Sequence, residues 1–506
     1  MAISLKNIST VSFFTILSRL LGFFRDILFT TFLGTSASFE AFIAAYQIPN
    51  FFRLLLGEGA LHGAVIPIYS EMLVKKGKKE ANRLASSLFF ILFFVFLALT
   101  AIVWIFTPFI TKIFVPGFLE FPKKFAMTVI FLKISFPFLI FIGLAALVMA
   151  FLNSEGKYAV SAFAPTLLNI SLIVYLLLFF NRIDSQDLRL TMLSFTVVIG
   201  GALQFFIQYF WFRKTGFRLS KVLFHTEMKR VILLFIPTAL IFGTTQLNLL
   251  ISRAIASFLP TGSISFLYYA NRILQLPLGI FSIAIATVSL PSFSEASAKS
   301  KKLVLTRLNA SIKLLLYLII PVCIILYALP THIISFIFEH GNFDHSDTLN
   351  TAAALRFYAL GLLFFSLNRI IQSVYYAFKD TKTPLKIAIA SVIVNIILNI
   401  VLMFPLKHAG LALANSISGL FQCFLLFIFL KKYFSISKII EPIREIFSRL
   451  AISNIIVLIT VYLLLYTLSS FANYQQLFII MFVSVAIYLF STYKNGLIKN
   501  IRGTLE

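Results

Sequence analysis

Charge is the scarcest property of this chain. Only 12% of its 506 residues are Asp, Glu, Lys or Arg, while 60% are hydrophobic. A soluble globular protein is nearer a quarter charged, so a water-soluble architecture is excluded. Acidic residues are scarcer still, 18 against 43 Lys and Arg, which leaves a formal charge of +25. Cysteine is nearly absent. Cys323 and Cys423 both fall inside apolar runs, which excludes a secreted-type disulfide framework and fits small buried hydrophobes. There is no Gly-rich Walker loop, so ATP is not the direct energy source. His62, His225, His332, His340, His345 and His408 are scattered and form no metal-binding pattern; HGNFDH, 340–345, reads as a solvated loop. No enzymatic constellation is present, and catalysis is not expected. The positive charge does not point to nucleic acid, because no basic stretch comes with an aromatic platform or a soluble fold.

What the chain does have is apolar runs long enough to cross a hydrocarbon core of about 30 Å. Fourteen spans are expected: 9–33, 40–70, 84–111, 125–152, 159–180, 190–212, 229–258, 264–293, 304–330, 349–378, 385–404, 409–430, 447–470 and 474–493. The first is a retained helix and not a cleaved signal, since only Lys6 precedes it and arginines interrupt it. The second is the least regular, with Pro49, Gly57, Gly59 and Pro67 inside it. Placing the N-terminus in the cytoplasm and alternating sides puts 29 Lys and Arg inside and 6 outside. That asymmetry fixes the orientation, with both termini cytoplasmic. It also accounts for most of the net charge, since basic loops face anionic lipid. The fold class is an all-α polytopic membrane protein of about fourteen helices.

The chain also repeats itself. VIPIYSE, 65–71, matches SLPSFSE, 289–295, pairing Pro67 with Pro291 and Glu71 with Glu295. IFVPG, 113–117, matches IFEHG, 337–341, and Asn169-Ile170 matches Asn395-Ile396. The order and nearly constant offset indicate two parallel six-helix copies, as in transporters whose halves rock about a midplane site. The expected division is 1–225 and 226–440 for the two lobes, around a central cavity, and 441–506 for two added helices. A duplicated scaffold without transport is the plainer alternative.

Within the spans lie eight cations, Arg19, Arg25, Arg53, Lys133, Arg253, Arg272, Arg356 and Arg369, but only three acids, Asp26, Glu40 and Glu58. Charge at mid-bilayer is costly and faces a partner or water. On a helical wheel of about 100° per residue, Thr15, Ser18, Arg19, Gly22, Arg25 and Asp26 share an arc of about 120°, one wet face. Gly22, between the arginines, leaves room for a ligand or a close helix. Arg53 follows Pro49 and has Asn50 at helical spacing; Arg272 follows the polar run Tyr268-Tyr269-Ala270-Asn271. The plain alternatives are that Arg25 pairs with Asp26 and that Arg19 snorkels to the interface. For Lys133 and Arg253 the plain reading is preferred, and Arg356 and Arg369 are evenly balanced. Clustered guanidiniums suit a diphosphate or similar anion, because they stay charged when buried and bind phosphate oxygens bidentately.

SRLLGFFRD (18–26), EAFIAAYQIPNFFRLLLGEGALHGAVIPIYSE (40–71), VPGF (115–118), FAPTLLNIS (163–171) and TKTPLKIAI (381–389) resemble the MurJ/MviN lipid II flippases, of the multidrug/oligosaccharidyl-lipid/polysaccharide exporter superfamily. The resemblance implies fourteen helices and transport of lipid II, undecaprenyl-diphosphate carrying a disaccharide-pentapeptide, across the bacterial inner membrane by alternating access. It implies that Arg19, Arg25, Arg53 and Arg272 engage the diphosphate; Ser18, Gly22, Asp26, Glu40, Asn50, Glu58 and Asn271 are the candidates for supporting the cavity beside them. Arg356 and Arg369 are weaker candidates. It further implies that the last two helices form a groove for the lipid tail. The chain departs from the family at Glu40 and Asn271, where Asp is common. Some relatives bind sodium through a carboxylate-containing pair; here the matching positions, Asn395 and Asn399, are neutral, which leaves sodium a weak candidate and membrane potential an equal driver. No other cofactor is expected. The partners are lipid II and membrane lipid, with no nucleic acid, and the chain is expected to be a monomer. Two rival functions remain: a flippase for another undecaprenyl-diphosphate glycan, and a multidrug antiporter, whose cationic substrates fit an arginine-lined cavity poorly.

Overall fold

The computed structural model describes residues 5–55, 61–435 and 437–495. These residues are helical with no strand among them, as apolar surroundings require: a helix satisfies its backbone N–H and C=O groups within one segment. The described residues of the expected spans lie mostly in helix. Ten helices among the described residues combine the length and apolarity needed to cross a bilayer.

The chain divides into two compact units, 1–262 and 263–506. The first contains α1 (Leu5–Leu33), α2 (Ala37–Leu55), α3 (Leu61–Lys75), α4 (Gly77–Ile105), α5 (Thr107–Phe114), α6 (Pro122–Ser135), α7 (Phe138–Ser154), α8 (Tyr158–Phe163), α9 (Thr166–Val174), α10 (Gln186–Lys214) and α11 (Met228–Ala256). The irregular span 40–70 is thus divided between α2 and α3, with Pro49 and Pro67 each carried inside a helix. In this unit α1 packs on α8 and α9, α2 on α6, α10 on α7 and α9, and α3 on α4 and α7. The core of α3, α4, α7 and α10 is built from side chains such as Ile68, Tyr69, Leu84, Leu147, Phe151 and Phe212. Their burial against one another supplies the dispersion contacts that hold helices together in lipid.

The second unit contains α12 (Ser263–Pro277), α13 (Ala284–Lys299), α14 (Lys301–Ala328), α15 (Pro330–Phe338), α16 (His345–Ala377), α17 (Lys382–Phe429), α18 (Ser437–Thr467) and α19 (Asn473–Lys494). Here α16 is the hub, touching α12, α13, α14, α15 and α17. Helix α17 is two arms joined at Lys407, whose backbone leaves helical geometry, so spans 385–404 and 409–430 are its two arms. The added helices dock within this unit, α18 on α14 and α19 on α15 and α18. Tyr488 donates to the Tyr317 carbonyl at 2.6 Å, and His332 Nε2 lies 3.0 Å from Gln476 Oε1.

The repeat is visible in matched local structure. Pro67 and Pro291 both lie inside helices, and four residues on, Glu71 pairs with Lys75 at 2.8 Å and Glu295 with Lys299 at 2.6 Å. Helices α1 and α11, which open the two copies, are both 29 residues long. Yet α11 packs on α2, α3 and α5, in the first unit. The packing boundary after Gly262 therefore differs from the expected repeat boundary at 225: the helix expected to open the second copy packs with the first unit. One of its fastenings is Gly117 of the VPGF motif, whose N–H donates to Ser257 Oγ at 2.9 Å. A Cβ on Gly117 would fall 2.4 Å from the Ser257 backbone, so only glycine permits that approach.

Candidate functional site

In the first unit, the charge on α1 is gathered by α9. Arg25 and Asp26 are both buried, 6% and 2% exposed. Arg25 donates to Asp26 Oδ1 from Nη2 at 2.7 Å and from Nε at 3.1 Å, and its Nη1 donates to Asn169 Oδ1 at 2.9 Å. The Asn169 amide in turn donates to the Ser18 carbonyl at 3.0 Å. Gly22 lies at this crossing, where a Cβ would stand 3.5 Å from Asn169 Nδ2, an ordinary contact distance, so the approach of the two helices does not itself demand glycine. Of the two readings of Gly22, room for a ligand or for a close helix, the described contact is the close helix. The guanidinium also lies 5.4 Å from the Phe29 ring centroid. A buried charge pair of this kind holds only when further hydrogen bonds complete it, as Asn169 does here.

Arg19 has different surroundings. It is exposed, as are Thr15 and Leu20, while Ser18 and Gly22 are half-buried. The polar arc therefore runs from an open edge at Arg19 to a closed one at Arg25. On α2, Arg53 follows Pro49 and donates from Nε to Asn50 Oδ1 at 2.8 Å, which orients its guanidinium while leaving it half-buried. Glu40 is almost fully buried in an ion pair with Lys124 of α6, under the Phe118 ring, whose centroid is 4.1 Å from Nζ. Glu58 lies outside the described residues.

In the second unit, Arg272 is half-buried on α12. Its Nη2 donates to Tyr268 Oη at 2.9 Å, and its guanidinium lies 4.8 Å from that ring's centroid. Asn271 Oδ1 accepts from Gln275 at 3.3 Å. Arg356 and Arg369 are exposed, and Arg356 lies 5.9 Å from the Tyr327 ring centroid. Asn395 and Asn399 are fully buried in α17. Asn399 Nδ2 donates to Asn395 Oδ1 at 2.9 Å, and Asn395 Nδ2 donates to Asn415 Oδ1, on the other arm, at 3.3 Å. Two of the three oxygens a sodium ion would use already accept from amide N–H groups. All three side chains are neutral, so nothing in the set offsets the ion's charge. A sodium ion would have to turn these amides away from one another to gather their oxygens.

Two residues were missed from sequence. Asn169 was visible only as a repeat match and as part of FAPTLLNIS, with nothing to link it to α1. Lys124 was assigned to an outer loop, one residue before the span expected at 125–152, although it is 4% exposed.

The family described as lipid II flippase MurJ matches residues 29–487. The Rickettsia prowazekii protein named "Probable lipid II flippase MurJ" is 36% identical over 423 residues, 82% of each chain. A protein of the same name from Buchnera aphidicola subsp. Schizaphis graminum is 31% identical over 504 residues, 97% of each. A solved lipid II flippase MurJ in an inward closed conformation superposes with a TM-score of 0.82 at 30% identity, covering 96% of this chain and 98% of that one. An inward-facing multidrug MATE transporter shares the fold, with a TM-score of 0.68 at 12% identity over 84% of this chain and 96% of that one. With its charged α1–α9 crossing, its duplicated helical units and a family match over nearly its full length, the chain belongs to the lipid II flippase MurJ family.

Proposed function

We propose that this chain translocates lipid II from the inner to the outer leaflet of the bacterial plasma membrane by alternating access, supplying peptidoglycan synthesis. The observation that carries this reading is the family match over residues 29–487. The arginines fit it chemically. Arg53 and Arg272 are each oriented by a neighbouring side chain and only half-buried, which keeps part of each guanidinium open to a phosphate. Arg19 is exposed on α1. Arg25, closed into its pair with Asp26 and Asn169, orders the wall that carries Arg19 and exchanges partners only if α1 and α9 move apart.

The protein acts as a monomer, and α18 and α19 hold the prenyl chain while the headgroup crosses. With a neutral asparagine set in place of a carboxylate site, the membrane potential drives the cycle. Depletion in cells that lack other lipid II flippases, followed by a leaflet assay, tests the central reading. Lipid II is expected to accumulate on the cytoplasmic side; normal outer-leaflet lipid II after depletion would overturn the proposal.

A further inference from the structure

The segment between α10 and α11, residues 215–227, has no regular secondary structure, yet it follows a defined path along α4. Lys78 donates to Thr215 Oγ1 at 3.2 Å and Asn82 to the Gly216 carbonyl at 3.1 Å. The Ser220 N–H donates to Ser86 Oγ at 3.0 Å, and Ser87 donates to the Leu223 carbonyl at 2.8 Å. The segment then climbs back, with His225 Nε2 3.6 Å from Glu80 and Glu227 3.4 Å from Lys76. It therefore dips along α4 and returns. Its lowest stretch, 220–223, lies level with Ser86 and Ser87, about 5 Å beyond the last charged residue of α4, Arg83, at a rise of about 1.5 Å per residue. The Phe217 ring anchors the descent, buried 4.4 Å from that of Phe212.

The outward face of this dip is apolar and basic. Leu219, Leu223 and Phe224 are 44%, 52% and 81% exposed. Arg213, Lys214, Arg218 and Lys221 are exposed beside them, and no carboxylate among the described residues pairs with them. The nearby acids are engaged elsewhere: Glu71 and Glu227 with Arg230, Glu80 with Arg83, and Glu155 with Lys78. Hydrogen bonds from Arg230 hold the Glu227 carboxyl below its ordinary range, and those from Arg83 do the same for Glu80, so both remain charged and occupied. Lys214 lies 4.5 and 4.8 Å from the Phe210 and Trp211 ring centroids, an aromatic and cationic pairing suited to the headgroup level. Lys and Arg crowd this side of the membrane, which makes it the cytoplasmic one.

We propose that residues 214–224 form a docking site for anionic phospholipid of the cytoplasmic leaflet. Leu219, Leu223 and Phe224 enter the acyl region, and Arg218, Lys221 and Lys214 bind the lipid phosphate. Exposed apolar side chains held below the last charge of a spanning helix need lipid to cover them, and the cations that flank them, without a carboxylate partner among the described residues, suit an anion. A docked lipid would also brace the strap that leads into α11.

The test uses the full chain in vesicles. With Trp104→Phe and Trp211→Phe removing both native tryptophans, Phe224→Trp places a single reporter on the dip. Phosphatidylglycerol brominated on its acyl chains, a minority in phosphatidylcholine, is expected to quench this reporter well beyond its share of the bilayer. Brominated phosphatidylcholine should quench it less than its share. Adding Arg218→Gln and Lys221→Gln is expected to lower the preference for phosphatidylglycerol about tenfold. Retention of phosphatidylglycerol by the chain carrying only those two charge substitutions, read by native mass spectrometry, should fall in step; this variant keeps Phe224 and every strap hydrogen bond. A reporter that neither lipid quenches would overturn the proposal and point to a surface for a soluble protein. Quenching that simply follows bulk composition, or lipid retention unchanged without the two charges, would overturn it as well.

Discussion

The two copies of the repeat treat the same position differently. Asn169 in the first and Asn395 in the second match in sequence, and both are buried at helix crossings. In the first unit the asparagine completes an ion pair, accepting from Arg25 while Asp26 balances the charge. In the second it belongs to an amide chain with Asn399 and Asn415 that carries no charge. No Asp or Glu falls in any expected span of the second unit, whereas the first has Asp26 and Glu40 paired at depth. Duplication preserved the scaffold residue, while the electrostatics diverged. A neutral amide chain keeps a helix crossing together at little desolvation cost, but a buried ion pair persists only while all its partners are in place.

The sharpest way to break this comparison is Arg25→Ala. It leaves Asp26 buried without its cation, and it is expected to cost about 3–5 kcal/mol, read as thermal unfolding in detergent. Asn395→Ala should cost less, about 1–3 kcal/mol, because the buried partners it strands are neutral amides. The double variant Arg25→Leu and Asp26→Leu removes both charges and should regain most of the stability. If it also complements a depleted strain, the pair is a structural crossing and Arg25 has no part in transport. If it is stable but inactive, the guanidinium itself is needed.

How much of this was legible from sequence follows from the range of each interaction. Helix positions are local, periodic patterns, and the structure carries them; the polar arc of α1 is legible as a pattern too, but its buried end at Arg25 and Asp26 is set by α9. The pairing of Arg25 with Asp26 was visible as adjacency, one of two readings. The part played by Asn169 was not, because nothing in a sequence relates residue 169 to residue 25. The burial of Lys124 is hidden for a different reason: its charge ends the expected span at 125, while Glu40, which makes its burial possible, lies far away in the chain. Hydropathy ranks a residue by its own polarity and cannot see the partner that neutralises it. The packing of α11 with the first unit was hidden likewise, since the repeat records ancestry and the packing records contacts such as Gly117 with Ser257.

A smaller effect on stability, with a large one on activity, is expected at Arg53. It is half-buried and hydrogen-bonded to Asn50, three residues earlier, so Arg53→Ala should change stability less than Arg25→Ala does. The variant should reach the membrane in normal amounts, by quantitative blotting, and fail to complement. Arg53→Lys keeps the charge and loses the bidentate geometry, so partial complementation is expected from it. Full complementation by Arg53→Ala would remove this residue from the substrate site.

The smallest effect is expected at the neutral amides of α17. Exchanging sodium for potassium at constant membrane potential should change the rate of lipid II appearance in the outer leaflet less than about twofold, because the α17 amides offer no net charge to the ion. Asn399→Asp turns the same comparison around. It replaces the donor to Asn395 Oδ1 with a carboxylate oxygen, so two oxygens then face each other at a site where a hydrogen bond of 2.9 Å stood. That arrangement repels itself unless a proton or a cation enters it. In this variant, sodium should raise the unfolding temperature in detergent, and in the unmodified chain it should not. A sodium-dependent rise in the unmodified chain would show that Asn395 and Asn399 turn their oxygens toward an ion in spite of the amide chain, and the contrast between the two units would then be one of ligand and not of charge.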